Sequence, residues 1–317
     1  MSTQSHKYKI LVTAPWFTDH YLTVLEKDFD VTTNTMKRWF TENELKNIIS
    51  EYDGIIAGLD PFNRDVLSRA KKLKIIARRG IGVDNIDLQY CKEHGIIVTN
   101  TPIPEEHVAV AEFTLGLILD AIRNITRSVI SLKSGSWERK AFLGRTLRGI
   151  VIGIIGLGNT GRSLADMLKL LGATVVYYDP FVFDKDFQRV DLKTLFEISD
   201  VISINAPLNE NTRRLIGKDL ISLMKPRSYI VDVSRGQILN IDDVLQALDE
   251  GKLEGLALDV YDIEPPMNPR LLSHEKVICT PHIAAFSVEA FDKIDNICTK
   301  NIIKTLLYNE EPTFRII

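Results

Sequence analysis

Three side chains in the C-terminal half of the chain carry complementary chemistry: Arg235 in Ser234-Arg235-Gly236, Glu264 in Asp259-Val-Tyr-Asp-Ile-Glu-Pro-Pro, and His282 in Thr280-Pro-His-Ile-Ala-Ala. A guanidinium is a permanent cation with a fork of donors, an imidazole changes charge near neutral pH, and a carboxylate bonded to that imidazole favours its protonated form. An anchor, an acid–base group and a group that tunes it are what a redox cofactor needs beside it. Singly, a His or a Glu after a strand is more often structural. What unites these three is placement. Each follows a strand-like apolar run, Tyr229 to Val233, Gly255 to Val260 or Lys276 to Cys279, and open α/β sheets bind ligands at the carboxyl ends of their strands.

A stretch from Ile150 to Pro180 explains which cofactor those strand ends would serve. Ile150 to Ile155 is a β-branched apolar run that reads as a buried strand. Gly156, Gly158 and Gly161 follow in G-x-G-x-x-G spacing, then an apolar helical run ending at Gly172, then a second strand, Thr174 to Tyr178, closed by Asp179. Gly156 allows the turn, Gly158 lets a pyrophosphate approach the backbone, and Gly161 lets the helix pack close to the sheet. Asp179 would accept hydrogen bonds from the adenosine ribose hydroxyls and repel a 2′-phosphate, and neither Pro180 nor Phe181 offers a compensating cation. The pattern implies NAD rather than NADP.

Length and composition are compatible with a soluble two-domain protein. A net charge of −3 over 317 residues gives no reason to expect nucleic acid or an anionic membrane as partner. Cys91, Cys279 and Cys298 form no C-x-x-C, so neither a disulfide framework nor a metal site is expected. Met1 to Lys9 is polar and unlike a signal peptide, and the richest apolar run, Val108 to Ile122, is interrupted by Glu112 and Asp120. A cytoplasmic protein is expected.

Strand-like and helix-like runs alternate through the first hundred residues, and again after the glycine motif, as in two parallel-sheet blocks with the default site in the cleft between them. Between the blocks Pro102 and Pro104 precede a long helical stretch, roughly Glu105 to Lys133, whose breadth of apolar positions suits a core or a subunit interface. A helix from Val288 to Leu307 and a tail end the sequence. The fold class is α/β, with two doubly wound parallel-sheet domains: residues 1–103 with 288–317 as a smaller, flavodoxin-like substrate domain, and 104–287 as a larger Rossmann NAD-binding domain.

Arg78-Arg79-Gly-Ile-Gly-Val-Asp-Asn-Ile-Asp, Asn100-Thr-Pro, Lys133-Ser-Gly-Ser-Trp-Glu-Arg-Lys, the glycine motif, Ser234-Arg-Gly, Asp259-Val-Tyr-Asp-Ile-Glu-Pro-Pro and Thr280-Pro-His-Ile together resemble the D-isomer-specific 2-hydroxyacid dehydrogenases, and among them the phosphoglycerate dehydrogenases, over nearly the whole chain. The resemblance implies that Arg235 binds the substrate carboxylate and carbonyl, Glu264 orients the histidine, and His282 is the acid–base group. It implies that backbone amides around Gly80, Ile81 and Gly82 hold the substrate carboxylate; Arg78 and Arg79, just before that turn, are expected to meet the substrate as well. The cofactor would lie along Gly156, Gly158, Asn159, Thr160, Gly161, Asp179, Ala206, Pro207, Ser234, Asp259, His282 and Ala284, with Asp259 near the nicotinamide carboxamide. In the reducing direction hydride passes from NADH to C2 of a 2-keto acid while His282 protonates the forming alkoxide.

The chain departs from the family at three places that bear on the substrate. Asn205-Ala206-Pro207 stands where His-x-Pro is common, Ala284-Ala285 where a Gly is common, and Gly236-Gln-Ile-Leu-Asn where Gly-Gly-Ile-Val-Asp is common. The sequence ends at Ile317 without a counterpart of the regulatory domain of many phosphoglycerate dehydrogenases, so feedback by serine is not expected. D-3-phosphoglycerate is the substrate expected, with Arg78, Arg79, Arg139 and Lys140 available for a second anion. Another D-2-hydroxy acid from a specialised biosynthetic pathway is the alternative, and a NADH-sensing corepressor-like protein a remoter one. A homodimer is expected, and no metal.

Overall fold

The structure, a computed structural model, describes residues 7–317; Met1 to His6, most of the polar N-terminal stretch, lie outside the described residues. The chain forms two compact units, one of residues up to Glu106 together with Ser287–Ile317, the other His107–Phe286.

The first unit is built on five parallel strands, β1 (Lys9–Val12), β2 (Asp30–Thr33), β3 (Gly54–Ala57), β4 (Ile75–Arg78) and β5 (Ile97–Thr99), in the order β2-β1-β3-β4-β5. All of β3 and β4 is buried, as β-branched runs covered by helices on both faces require. The order reverses between β1 and β3, which makes their carboxyl ends the switch point of this sheet. The helix expected from Val288 to Leu307 runs as an α-helix to Ile303 and continues as a π-helical turn, Lys304–Tyr308. Part of the tail after it is an ordered edge: Val98 exchanges backbone hydrogen bonds with Ile316 (2.8 Å) and Ile317 (3.2 Å), antiparallel to β5. Backbone groups that β5 would otherwise leave open are thereby paired.

The second unit contains seven parallel strands, β6 (Val151–Ile155), β7 (Thr174–Tyr178), β8 (Gln188–Arg189), β9 (Val201–Ile204), β10 (Ser228–Asp232), β11 (Leu253–Leu258) and β12 (Val277–Cys279), in the order β12-β11-β10-β9-β6-β7-β8. This is the doubly wound nucleotide-binding arrangement, with its switch point between β6 and β9. The long helical stretch expected from Glu105 to Lys133 is two helices, Pro104–Arg123 and Ile125–Lys133, parted by Asn124 in the left-handed region (φ 57°). Asp120 stops the first and starts the second: its carboxylate accepts from the Thr126 amide (2.7 Å) and hydroxyl (2.5 Å). The first helix spends Ala111, Ile118 and Ile122 on the core of the seven-stranded sheet.

Candidate active site

At the β6–β9 switch point each glycine of the motif answers a different demand. Gly156 has φ +90°, and a Cβ there would meet the Ala206 amide nitrogen at 2.9 Å. At Gly161 a Cβ would fall 2.1 Å from the Gly156 carbonyl oxygen, so the helix Asn159–Leu170 can approach only without one. A Cβ at Gly158 would meet no protein atom within 4 Å. The protein needs no glycine there for its own packing, which fits a surface kept bare for a ligand phosphate beside the helix N-terminus.

His107, which the sequence reading missed, supports that terminus. Its imidazole lies 3.1 Å from Asn159 Nδ2 and 3.4 Å from Thr160 Oγ1, and burial pushes its pKa down, towards the neutral form. Asp179 is buried, and its carboxylate accepts from the amides of Leu157 (2.9 Å), Phe181 (2.8 Å) and Val182 (3.0 Å). It therefore ties the glycine turn to the end of β7. A carboxylate has about four acceptor sites, so room remains for one ribose hydroxyl. Asn205 donates from Nδ2 to Ser203 Oγ (3.0 Å), while its Oδ1 is buried without a partner among the described residues.

His282 follows β12, at one edge of the same sheet. His282 has φ 55°, a conformation uncommon for a residue with a Cβ, and such strain persists only where the surroundings enforce it. Asp259, buried at the end of β11, does the enforcing. One oxygen accepts from Thr280 Oγ1 (2.6 Å) and the Ile283 amide (2.9 Å), the other from the Ala284 amide (2.7 Å). Asp259 was expected at the cofactor carboxamide; three of its acceptor sites are spent on the loop that aims His282. Nδ1 of His282 donates to Glu264 Oε2 at 2.7 Å, which leaves Nε2 as the end of the ring able to meet a reacting oxygen. Glu264 is fixed in turn, its Oε1 accepting from the Tyr261 amide (3.1 Å).

Arg235 leaves β10 on a segment clamped to the Glu264 loop. A Cβ on Gly236 would overlap the Tyr261 backbone at 2.3 Å, and Gln237, one of the departures from the family pattern, donates to the Asp262 carbonyl (2.9 Å). Beneath them lies Asp232, also missed in the sequence. It is fully buried, and one oxygen accepts from the amide (2.8 Å) and hydroxyl (2.7 Å) of Ser234. Ser234 thus turns its hydroxyl inward. Burial raises the Asp232 pKa to about 7.

Most of the residues expected to meet the substrate belong to the first unit, and the structure gives several of them internal partners. Arg79 is paired within the unit. Its guanidinium is buried against Asp295 (Nε to Oδ1 2.5 Å), which is itself fully buried, and stacks on Phe291. Arg78 is buried too, and donates to the Arg79 carbonyl. In the turn itself, the Gly80 amide is consumed by Thr101 Oγ1 (2.9 Å), and Asn100 holds the Ile81 carbonyl (2.9 Å). The amides of Ile81 and Gly82 are the ones with no acceptor among the described residues. Arg139 and Lys140, in the second unit, are exposed.

Fold and site define a class: an α/β dinucleotide-binding protein with a histidine–carboxylate dyad at the strand ends. Residues 115–284 match the family model described as D-isomer specific 2-hydroxyacid dehydrogenase, NAD binding domain. The hydroxypyruvate reductase of Thermotoga maritima is 37% identical over 307 residues, covering 95% of this chain and 99% of its own length. The D-3-phosphoglycerate dehydrogenase of Methanocaldococcus jannaschii is 38% identical over 305 residues and 94% of this chain, and the chain spans 57% of that relative's length. Among solved structures, the TT0316 protein from Thermus thermophilus superposes with a TM-score of 0.89 at 28% identity, over 98% of this chain and all of that one. The chain belongs to the D-isomer specific 2-hydroxyacid dehydrogenase family, and its cofactor is NAD.

Proposed function

We propose that the protein interconverts a D-2-hydroxy acid and its 2-keto acid with NAD as redox partner. The observation that carries this is the His282–Glu264 pair at 2.7 Å, with Nε2 left open. Bound NAD supplies the hydride exchange at C2. In reduction, His282 gives its Nε2 proton to the forming alkoxide, and Glu264 stabilises the imidazolium before transfer; in oxidation the neutral ring takes the hydroxyl proton. Arg235 takes the substrate carboxylate and polarises the carbonyl. The Ile81 and Gly82 amides are further donors for the acid. The cofactor pyrophosphate would sit on Gly158 and the amides of Asn159 and Thr160, with Asp179 on the ribose and Ala206, Pro207, Ser234, Asp259 and Ala284 beside it.

On this reading the segments 1–103 and 288–317 form the substrate domain and 104–287 the NAD-binding domain, within a homodimer. A reducing, cytoplasmic setting is supported by three free thiols, of which Cys91 and Cys298 are buried. No helix among the described residues is long and apolar enough to cross a membrane. D-3-phosphoglycerate, the substrate expected from the sequence, has the support of a relative's name, as hydroxypyruvate has of another's. The buried pairing of Arg79 removes part of the positive charge on which the phosphate reading leaned. Steady-state turnover of NADH with a panel of 2-keto acids tests the reaction class; no oxidation with any of them would defeat it.

A further inference from the structure

Beside the carboxyl ends of β1 and β3 the five-stranded sheet carries aromatic side chains. Trp39 lies on the backbone of Gly58, the residue that follows β3: a Cβ on Gly58 would fall 2.1 Å from the indole ring. Gly58 has no positive φ, so space for the ring is the reason for glycine. Trp16, after β1, meets Trp39 edge to face at 6.0 Å and keeps 49% of its surface exposed.

The indole is held there by buried polar groups. Asp60, fully buried, accepts from Thr13 Oγ1 and from the Phe40 amide (2.7 Å), immediately beyond Trp39. Asn34, also buried, donates to the carbonyls of Thr13 (2.7 Å) and Arg38 (2.8 Å), immediately before it. Both anchors tie the 34–40 loop to the end of β1, so the ring is set in place before any ligand arrives.

This surface adjoins the turn proposed to meet the substrate. Ala57 pairs with Arg78, and the Arg79 amide donates to the Ala57 carbonyl (2.9 Å). Gly58 and the Gly80 turn are therefore neighbours across one strand spacing, about 4.8 Å. Of the cations near this edge, Arg79 is paired with Asp295 and Arg38 with Glu44, while the Arg78 guanidinium lies against Gly80 and donates to the Arg79 carbonyl.

We propose that Trp39, flanked by Trp16, receives the side chain of the substrate, and that the substrate is a 2-keto or 2-hydroxy acid with an apolar, aromatic or branched side chain rather than a phosphorylated one. The proposal rests on the dehydrogenase reading above. It is tested by kcat/KM for phenylpyruvate, 4-methyl-2-oxopentanoate, 3-phosphohydroxypyruvate and pyruvate with NADH, in the unmodified protein and in Trp39→Ala and Trp39→Phe. An apolar side chain that gains a buried aromatic wall should win over pyruvate by about tenfold or more. Trp39→Ala should erase that ratio, Trp39→Phe should retain part of it, and the Kd for NADH should not move. Preference for the phosphorylated acid, or a ratio indifferent to Trp39→Ala in a variant that still binds NADH, overturns the proposal. If Trp39→Ala does not fold, the substrate ranking of the unmodified protein decides. Turnover of pyruvate without any preference for apolar acids leaves the dehydrogenase reading standing while the inference falls; turnover of none of the four fells both.

Discussion

At the scale of single residues, the dyad and its supports can be separated by experiment. His282→Ala removes the proposed proton donor and leaves the glycine turn untouched. Turnover should fall by about a hundredfold to ten-thousandfold while NADH titrated by fluorescence binds as before. Asp232 gives a test of stability rather than rate. Its folded pKa, about 7, lies above the ordinary 3.8. The folded state holds the proton more tightly, so the stability this group contributes is complete below pH ~4 and is lost as the pH rises through ~7. Asp232→Asn can still accept from Ser234 but cannot ionise. Its urea midpoint should change less between pH 5 and pH 8 than that of the unmodified protein; equal changes would mean that Asp232 does not titrate there. Asp179 should make NAD the preferred coenzyme, measured as the ratio of kcat/KM for NAD and NADP. Asp179→Ser with Phe181→Arg should move the ratio toward NADP, at some loss of stability, because three backbone amides lose their acceptor. Arg235, Glu264 and His282 were legible because each follows an apolar run. Asp232 was hidden inside such a run, at the last residue of β10. The Arg79–Asp295 pair was hidden by a separation of 216 positions, across which sequence spacing carries no signal.

At the scale of elements, the glycine motif contains its own control. Gly158 and Gly161 lie on the same turn, yet an added methyl meets nothing at the first and a carbonyl oxygen at the second. Gly158→Ala should leave the thermal midpoint unchanged or slightly higher, since φ is −71° and alanine restricts the unfolded chain, while NADH affinity falls. Gly161→Ala should lose stability by ~1–3 kcal/mol as the helix is pushed from the turn, and lose NADH affinity with it. A parallel response of the two variants would show that Gly158 is not kept bare for a ligand. Strand and helix runs were legible to within a few residues because buried parallel strands and amphipathic helices write different periods into the sequence. The break at Asn124 was not, because the apolar pattern runs straight through it and only the Asp120–Thr126 cap reveals it. The pairing of the final residues with β5 was equally silent, since a short edge segment needs no periodicity of its own.

At the scale of the whole molecule, the question is what covers the apolar surface of the second unit. The apolar stretch Val108 to Ile122 was expected to serve a core or a subunit interface, and Ala111, Leu117, Ile118, Ala121 and Ile122 are buried in the unit's own core. Val108 on the same helix is exposed and Val110, Phe113, Leu115 and Leu119 are half-buried, and further apolar positions lie outside beyond it. Ile125, Val129, Ile130 and Leu132 are exposed on the second helix, Ile130 and Leu132 at 62% and 57%, and Trp137 and Leu143 are exposed after it. None of that helix's nine residues is buried, although four of them are large and apolar. Large apolar side chains exposed together on one helix suit an association face, and a face that pairs with its own copy closes as a two-fold dimer. Light scattering at low micromolar concentration should therefore give twice the chain mass of 35.9 kDa. Ile130→Asp, which puts a charge in the middle of the patch and touches no core residue, should yield a monomer with unchanged far-UV circular dichroism. A monomeric unmodified protein would refute the dimer outright, and a dimer indifferent to Ile130→Asp would place the interface elsewhere.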